Sequence, residues 1–118
     1  MAMDYVDGFV AAVPTANQDI YRDFSTKTAA LFREHGALRV VEAWGDDVPE
    51  GQVTSFPMAV QRKADETVVF SWVIWPSKAV RDEGWQKMMQ DPRMAQAGEL
   101  PFDGKRMIYG GFKVIVDQ

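Results

Sequence analysis

The sequence has no cysteine, and His35 is its only histidine. Disulfides, thiolate metal sites and cysteine nucleophiles are thereby excluded, and a structural zinc site lacks a ligand set within one chain. A carboxylate site for a hard cation stays open to composition, but no EF-hand loop spacing occurs. Basic residues are the minority: 13 Lys and Arg stand against 17 Asp and Glu, a formal net charge of −4. A surface of that sign repels phosphate backbones and anionic lipid, so neither nucleic acid nor a membrane is expected as a partner. Long apolar runs are missing too. The longest, Val68 to Trp75, is interrupted by Ser71 and is far too short to span a bilayer. The start, Met1-Ala2-Met3-Asp4, has neither the charged nor the apolar region of a signal peptide, and a cytoplasmic protein is the expectation.

What remains is ordinary globular material: 118 residues, 47% hydrophobic and 25% charged, enough for a single domain over 1–118. Tyr5 to Val13 reads as a strand. Its alternation puts Val6, Gly8, Val10 and Ala12 on one side, small enough to lie under a helix, and Tyr5, Asp7, Phe9, Ala11 and Val13 on the other. Pro14 ends the strand. Thr15 and Gln18 then form a capping-box pattern for a helix from about 16 to 35, closed by Gly36. A second strand spans 37–44, turn chemistry follows at 45–51, and Phe56 to Arg62 reads as an edge strand because Pro57 is tolerated only at an edge.

The strongest strand, 67–75, leads into Pro76-Ser77, which repeats the stop-and-cap junction of Pro14-Thr15. The helix behind it carries Arg81, Trp85, Met88 and Met89 at helical spacing. Asp91-Pro92 opens a short helical segment that Gly98 closes, and the last strand covers 106–116. The order β-α-β, an inserted edge strand, then β-α-β predicts an α+β, ferredoxin-like fold, an antiparallel sheet with both helices on one face.

Two helices cover one sheet face only. The uncovered face is expected to hold Tyr5, Phe9 and Tyr109, beside a strand that is apolar on both parities (Val68, Phe70, Trp72 and Ile74; Val69, Val73 and Trp75). Such a patch needs a cover, and a second copy in a two-fold homodimer is the economical one. The other possibility is that some aromatics lie under the helices and the rest are scattered.

Several stretches carry a family likeness: Tyr5-Val6-Asp7-Gly8-Phe9-Val10, Gly36 to Glu42, Phe70-Ser71-Trp72, Pro76-Ser77-Lys78, Asp91-Pro92-Arg93-Met94 and Pro101 to Phe112. In these the chain resembles the YbaA-type bacterial family of unknown function over nearly its whole length. The resemblance implies a dimeric α/β barrel, the superfold of small cofactor-free monooxygenases, muconolactone-type isomerases and haem-handling proteins. It implies no activity, since kinship of fold does not carry function.

Asp7 is a carboxylate among aromatics. Lining an interior, it could work as an acid or base with Tyr109 and Lys113, while edge placement or an ion pair to Lys113 or Arg39 is the plainer reading. Tyr5, Phe9 and Trp72 are candidate ligand-binding residues. His35, in the last turn of its helix, reads as structural, where a cation suits the helix end. Glu42 and Arg39 fall on opposite parities of the second strand, so no more than one of them faces any given cavity. The glycines of Tyr109-Gly110-Gly111-Phe112 lack phosphate-loop spacing and read as relief of crowding. No flavin, nicotinamide or haem motif occurs, so no cofactor is expected. Two functions follow: a small-molecule binder or enzyme acting on an apolar or aromatic metabolite, or a non-catalytic dimeric interaction module using the acidic loop at Asp46-Asp47.

Overall fold

A computed structural model describes residues 4–118; the reading of Met1 to Met3 lies outside the described residues. The elements in chain order are β1 (Tyr5–Pro14), a 3-10 turn (Thr15–Asn17), α1 (Gln18–Glu34), β2 (Arg39–Trp44), α2 (Phe56–Ala59), β3 (Glu66–Trp75), α3 (Lys78–Gln90), α4 (Pro92–Gln96), a second 3-10 turn (Gly104–Arg106) and β4 (Ile108–Lys113). The sheet runs in the order β2-β3-β1-β4 with every pair antiparallel. Each helical crossover therefore skips one strand position, which interleaves two β-α-β units into the ferredoxin-like arrangement.

Proline and hydroxyl chemistry set most of the boundaries. The Ser77 hydroxyl accepts from the Val80 amide at 3.1 Å and starts α3, and the Asp91 carboxylate accepts from the Arg93 amide at 2.9 Å and starts α4. Gly36, at φ 115°, supplies the left-handed turn that ends α1. The Thr15–Gln18 capping box does not form. Thr15 opens a 3-10 turn instead, its hydroxyl 2.7 Å from that of Thr67 on β3, and α1 begins only at Gln18.

The stretch from Phe56 to Arg62 is not an edge strand. The Ser55 hydroxyl accepts from the Met58 amide, and Pro57 takes a first-turn position where its missing N–H costs nothing. The resulting single turn drives Val60 fully out of solvent against Val10, Ala12 and Val68. The final strand is also shorter than expected, because 104–106 coils before Ile108 enters the sheet.

The two faces of β1 are the reverse of the sequence reading. Tyr5, Ala11 and Val13 lie under the helices, packed with Tyr21, Val69, Val73 and Trp75, and Phe9 packs against the same layer. Val6, Gly8 and Val10 look out on the open side, in register with Ile74, Trp72 and Phe70 of β3. The reason is spacing. A helix packed on a sheet leaves a gap that large side chains fill, and the large members of β1 are its odd-numbered residues.

Gly84 marks the closest approach in this layer. A Cβ there would stand 2.5 Å from Trp75 Cζ3 and 2.9 Å from the His35 carbonyl oxygen. Alanine would gain up to about 1 kcal/mol of helix propensity. Overpacking against a fully buried indole and backbone costs about 1–3 kcal/mol, so the clash wins. We expect Gly84→Ala to destabilise the protein by roughly 1–2 kcal/mol in urea unfolding; an unchanged or higher midpoint would refute the close packing.

Candidate functional site

Asp7 stands in the middle of the sheet, on the helix side, and is buried. Its Oδ2 accepts from the indole N–H of Trp75 at 2.9 Å and of Trp85 at 2.8 Å. Arg81 meets it side-on, Nη2 donating to Oδ1 at 2.8 Å and Nε at 3.0 Å. Arg81 and Trp85 lie one turn apart on α3, so a single helix face delivers both. The guanidinium carbon sits 5.3 Å from the Tyr5 ring centroid, and Nη1 donates to Asp82 at 2.9 Å. The hydrogen bond to Asp7 raises the Arg81 pKa above its ordinary value, against the opposing effect of burial. Gly111 on β4 makes this possible, since a Cβ there would come within 2.5 Å of the Tyr5 hydroxyl and 2.8 Å of Arg81 Nη2.

A groove of about 620 Å³ opens beside this pair, walled by Asp7, Phe9, Arg81, Trp85, Met107 and Tyr109. Phe9, Trp85 and Met107 are shared with an inner apolar cavity of about 170 Å³ that reaches under α1 to Tyr21, Ser71 and Glu42. Tyr21, Ser25 and Glu42 in turn border an outer groove of about 270 Å³ between α1 and β2. The Tyr21 hydroxyl donates to Glu42 Oε1 at 2.5 Å. Glu42 is exposed on the edge strand β2, and partial desolvation of its carboxyl raises its pKa, with hydrogen bonds from Tyr21 and Ser71 opposing. Burial, with the Glu42 charge adding to it, also raises the Tyr21 phenol.

The candidate residues divide. Asp7, Phe9 and Tyr109 share the large groove, and Tyr5 lies beside it under Arg81. Trp72 faces the opposite side of the sheet, in register with Gly8, so it joins no site with Tyr5 and Phe9. Lys113 is exposed, opposite Tyr5 in the ladder, and Arg39 pairs with Ile74 on the open side. The ion-pair partner of Asp7 is Arg81, not Lys113 or Arg39. His35 bonds Asp91 at 2.9 Å and ties the end of α1 to the start of α4. Ligand atoms of Glu34, His35 and Asp91 fall within 4.8 Å of one another, but Arg93 bridges both carboxylates and occupies an oxygen of each. Sequence reading missed the Tyr21–Glu42 pair. Its signal was available: Glu42 alternates with Val40 and Trp44 on the half-buried parity of β2, where a carboxylate interrupts apolar residues.

Asp7 carries the heaviest electrostatic obligation in the chain. Asp7→Ala should cost about 3–5 kcal/mol, because the guanidinium and two indoles lose their acceptor together. Trp85→Phe removes one neutral donor and should cost about 1 kcal/mol in hydrogen bonding. Guanidinium unfolding followed by circular dichroism compares the two; equal losses would contradict the ranking.

The fold and the site can now be set beside known proteins. A dimeric ferredoxin-like protein from an uncultured marine organism has the same fold, at a TM-score of 0.61 over 98% of each chain and 10% identity. An uncharacterized protein YbaA from Escherichia coli K12 is 61% identical over 117 residues, covering 98% of this chain and all of the relative, and the Shigella flexneri protein of that name matches equally. Residues 4–104 match the family described as protein of unknown function, DUF1428. With the domain match and the full-length relatives agreeing, the chain belongs to the DUF1428 family.

Proposed function

We propose that this protein is a homodimer joined through its open sheet faces, and that the helix-side groove of each copy binds a small, neutral, apolar or aromatic molecule without a cofactor. The groove of about 620 Å³ carries the ligand reading. It falls within the range of small-molecule sites, and aromatic walls with a few converging polar groups are their usual lining. An interaction module would have no use for an unfilled space there.

The charges favour a neutral ligand. Asp7 is held by Arg81, and Asp82 by both Arg81 and Lys78, so every charge at the mouth of the groove is already paired. An anionic ligand would lose hydration there without meeting an unpaired cation, at a cost near 1 kcal/mol or more.

The open face favours self-association. Phe70, Ile108 and Phe112 are 44%, 44% and 60% exposed, and Val6, Val10, Trp72 and Ile74 lie on the same side. That apolar surface suits an interface of about 800 Å² per partner. The marine ferredoxin-like protein, described as dimeric, supports the same arrangement by analogy of fold.

Two measurements test the halves separately. Ile108→Glu with Phe112→Glu should convert a two-chain species to one chain in light scattering; a wild-type monomer at micromolar concentration would end the dimer reading. For the ligand, 2-naphthol should quench tryptophan fluorescence through Trp85, and 2-naphthoate should bind about tenfold more weakly, a difference of 1.4 kcal/mol. Met107→Trp should fill the groove and abolish the quenching. Quenching that survives in this variant would move the ligand elsewhere.

A further inference from the structure

We infer that Glu42, seated by Tyr21, is the proton-accepting group of the inner cavity, and that the molecule taken there is a neutral aromatic carbon acid isomerised by proton transfer. This rests on the ligand reading above, extends the bound molecule from the large groove past the shared walls Phe9, Trp85 and Met107 into the cavity under α1, and names its substrate class.

Position is the first argument. Glu42 belongs to the walls of both the apolar cavity under α1 and the groove between α1 and β2, so its carboxyl borders a bound molecule on one side and water on the other. A base there can take a proton from a buried molecule and exchange it with solvent. The inner cavity is lined by Phe9, Phe24, Phe32, Trp85 and Phe102, which suits a flat aromatic substrate.

Occupancy is the second. Among the described residues no cation pairs with Glu42, whereas Arg81 holds Asp7, Arg106 holds Glu66 at 2.6 Å, and Arg93 holds Asp91 at 2.8 Å. The Tyr21 hydroxyl engages Oε1, and Ser71 supplies a further hydrogen bond. The groups facing Glu42 are few: Tyr21 and Arg22 from α1, with Ser71 opposite it on β3. Arg22 is turned to Asp19 at 3.5 Å. A carboxylate held by neutral hydroxyls, at the edge of an apolar cavity, is oriented but not neutralised. Its raised pKa fits that setting and brings its basicity nearer to neutral pH.

The reaction balances without a co-reactant. Glu42 takes a proton from a C–H beside a carbonyl, the C–H electron pair becomes the new C=C bond, and the carbonyl oxygen carries the charge. Return of the same proton to the carbon at the far end of the delocalised system gives the isomer and restores Glu42. Nothing is oxidised or reduced.

The test uses 5-nitrobenzisoxazole, a neutral aromatic carbon acid. Loss of its C3 proton to a base breaks the N–O bond and yields a coloured nitrile phenolate. The wild-type protein should exceed equimolar acetate by about 100-fold or more. Because the base works ionised, the rate should rise with pH, with a midpoint above the ordinary glutamate value of 4.5. Glu42→Gln should lose about 100-fold, with its fold verified by circular dichroism. Tyr21→Phe should retain turnover with a midpoint moved still higher, since the phenol bond favours the carboxylate. Quenching of tryptophan fluorescence by the same probe reports binding independently. Quenching without turnover, or turnover unaffected by Glu42→Gln, overturns the proton-transfer role and leaves the ligand reading standing. Neither quenching nor turnover counts against both.

Discussion

The charge of Asp7 is the constraint around which the rest of this fold is arranged. A carboxylate at the centre of a sheet is removed from water on every side, and its isolated burial would cost several kcal/mol. Four N–H groups repay that, and each comes from a fixed address: Trp75 on the neighbouring strand, Trp85 and two donors of Arg81 on α3. For these to converge, α3 must cross the sheet at one angle and one height. Gly84 permits the height by letting Trp75 lie directly under the helix, and Gly111 permits the approach by leaving Arg81 its space. The groove beside Arg81 is then a by-product of the same geometry. A long guanidinium bridge, in place of a packed apolar side chain, holds α3 away from β4.

This arrangement separates the two sides of the sheet by chemistry. The helix side contains Asp7, Glu42 and Ser71 with their partners, and its packing is interrupted by cavities. The opposite side is mainly apolar: Phe112 lies across Gly8 and Gly110, with Phe70, Trp72 and Ile74 beside it, and Arg39 at the β2 edge stays exposed. A surface without buried hydrogen-bonding obligations tolerates a second sheet against it, since no polar group must be desolvated there. Assembly and ligand binding therefore need not compete for one surface. A variant that breaks the one should leave the other readable.

Much of this was legible in the sequence because punctuation is local. Pro76-Ser77 and Asp91-Pro92 act within one turn of themselves, and the structure places caps at both. The ferredoxin-like order of strands and helices follows from such junctions. What was not legible depended on distance. The acid at position 7 reads as a solvent-facing residue until Trp75, Trp85 and Arg81, some seventy residues away, are seen to enclose it, and the face assignment of β1 reversed with that one misreading. Phe56 to Arg62 failed for a subtler reason. Proline both interrupts edge strands and opens helices, and Ser55, which decides between them, lay just outside the stretch being read.

The contrast between the two carboxylates on the helix side gives a physical reason to separate structure from chemistry here. Asp7 lies in the larger groove and is the more conspicuous residue, yet four donors and a cation already saturate its oxygens, and a base with no free lone pair has little to offer a substrate. Glu42 is held by the Tyr21 and Ser71 hydroxyls, without a cation, and borders the smaller cavity. Losing the acceptor at position 7 threatens the fold, whereas neutralising position 42 removes a charge that burial disfavours. Stabilising a carboxylate and leaving it reactive are opposed demands on the same oxygens, and at Asp7 the first has been met at the expense of the second.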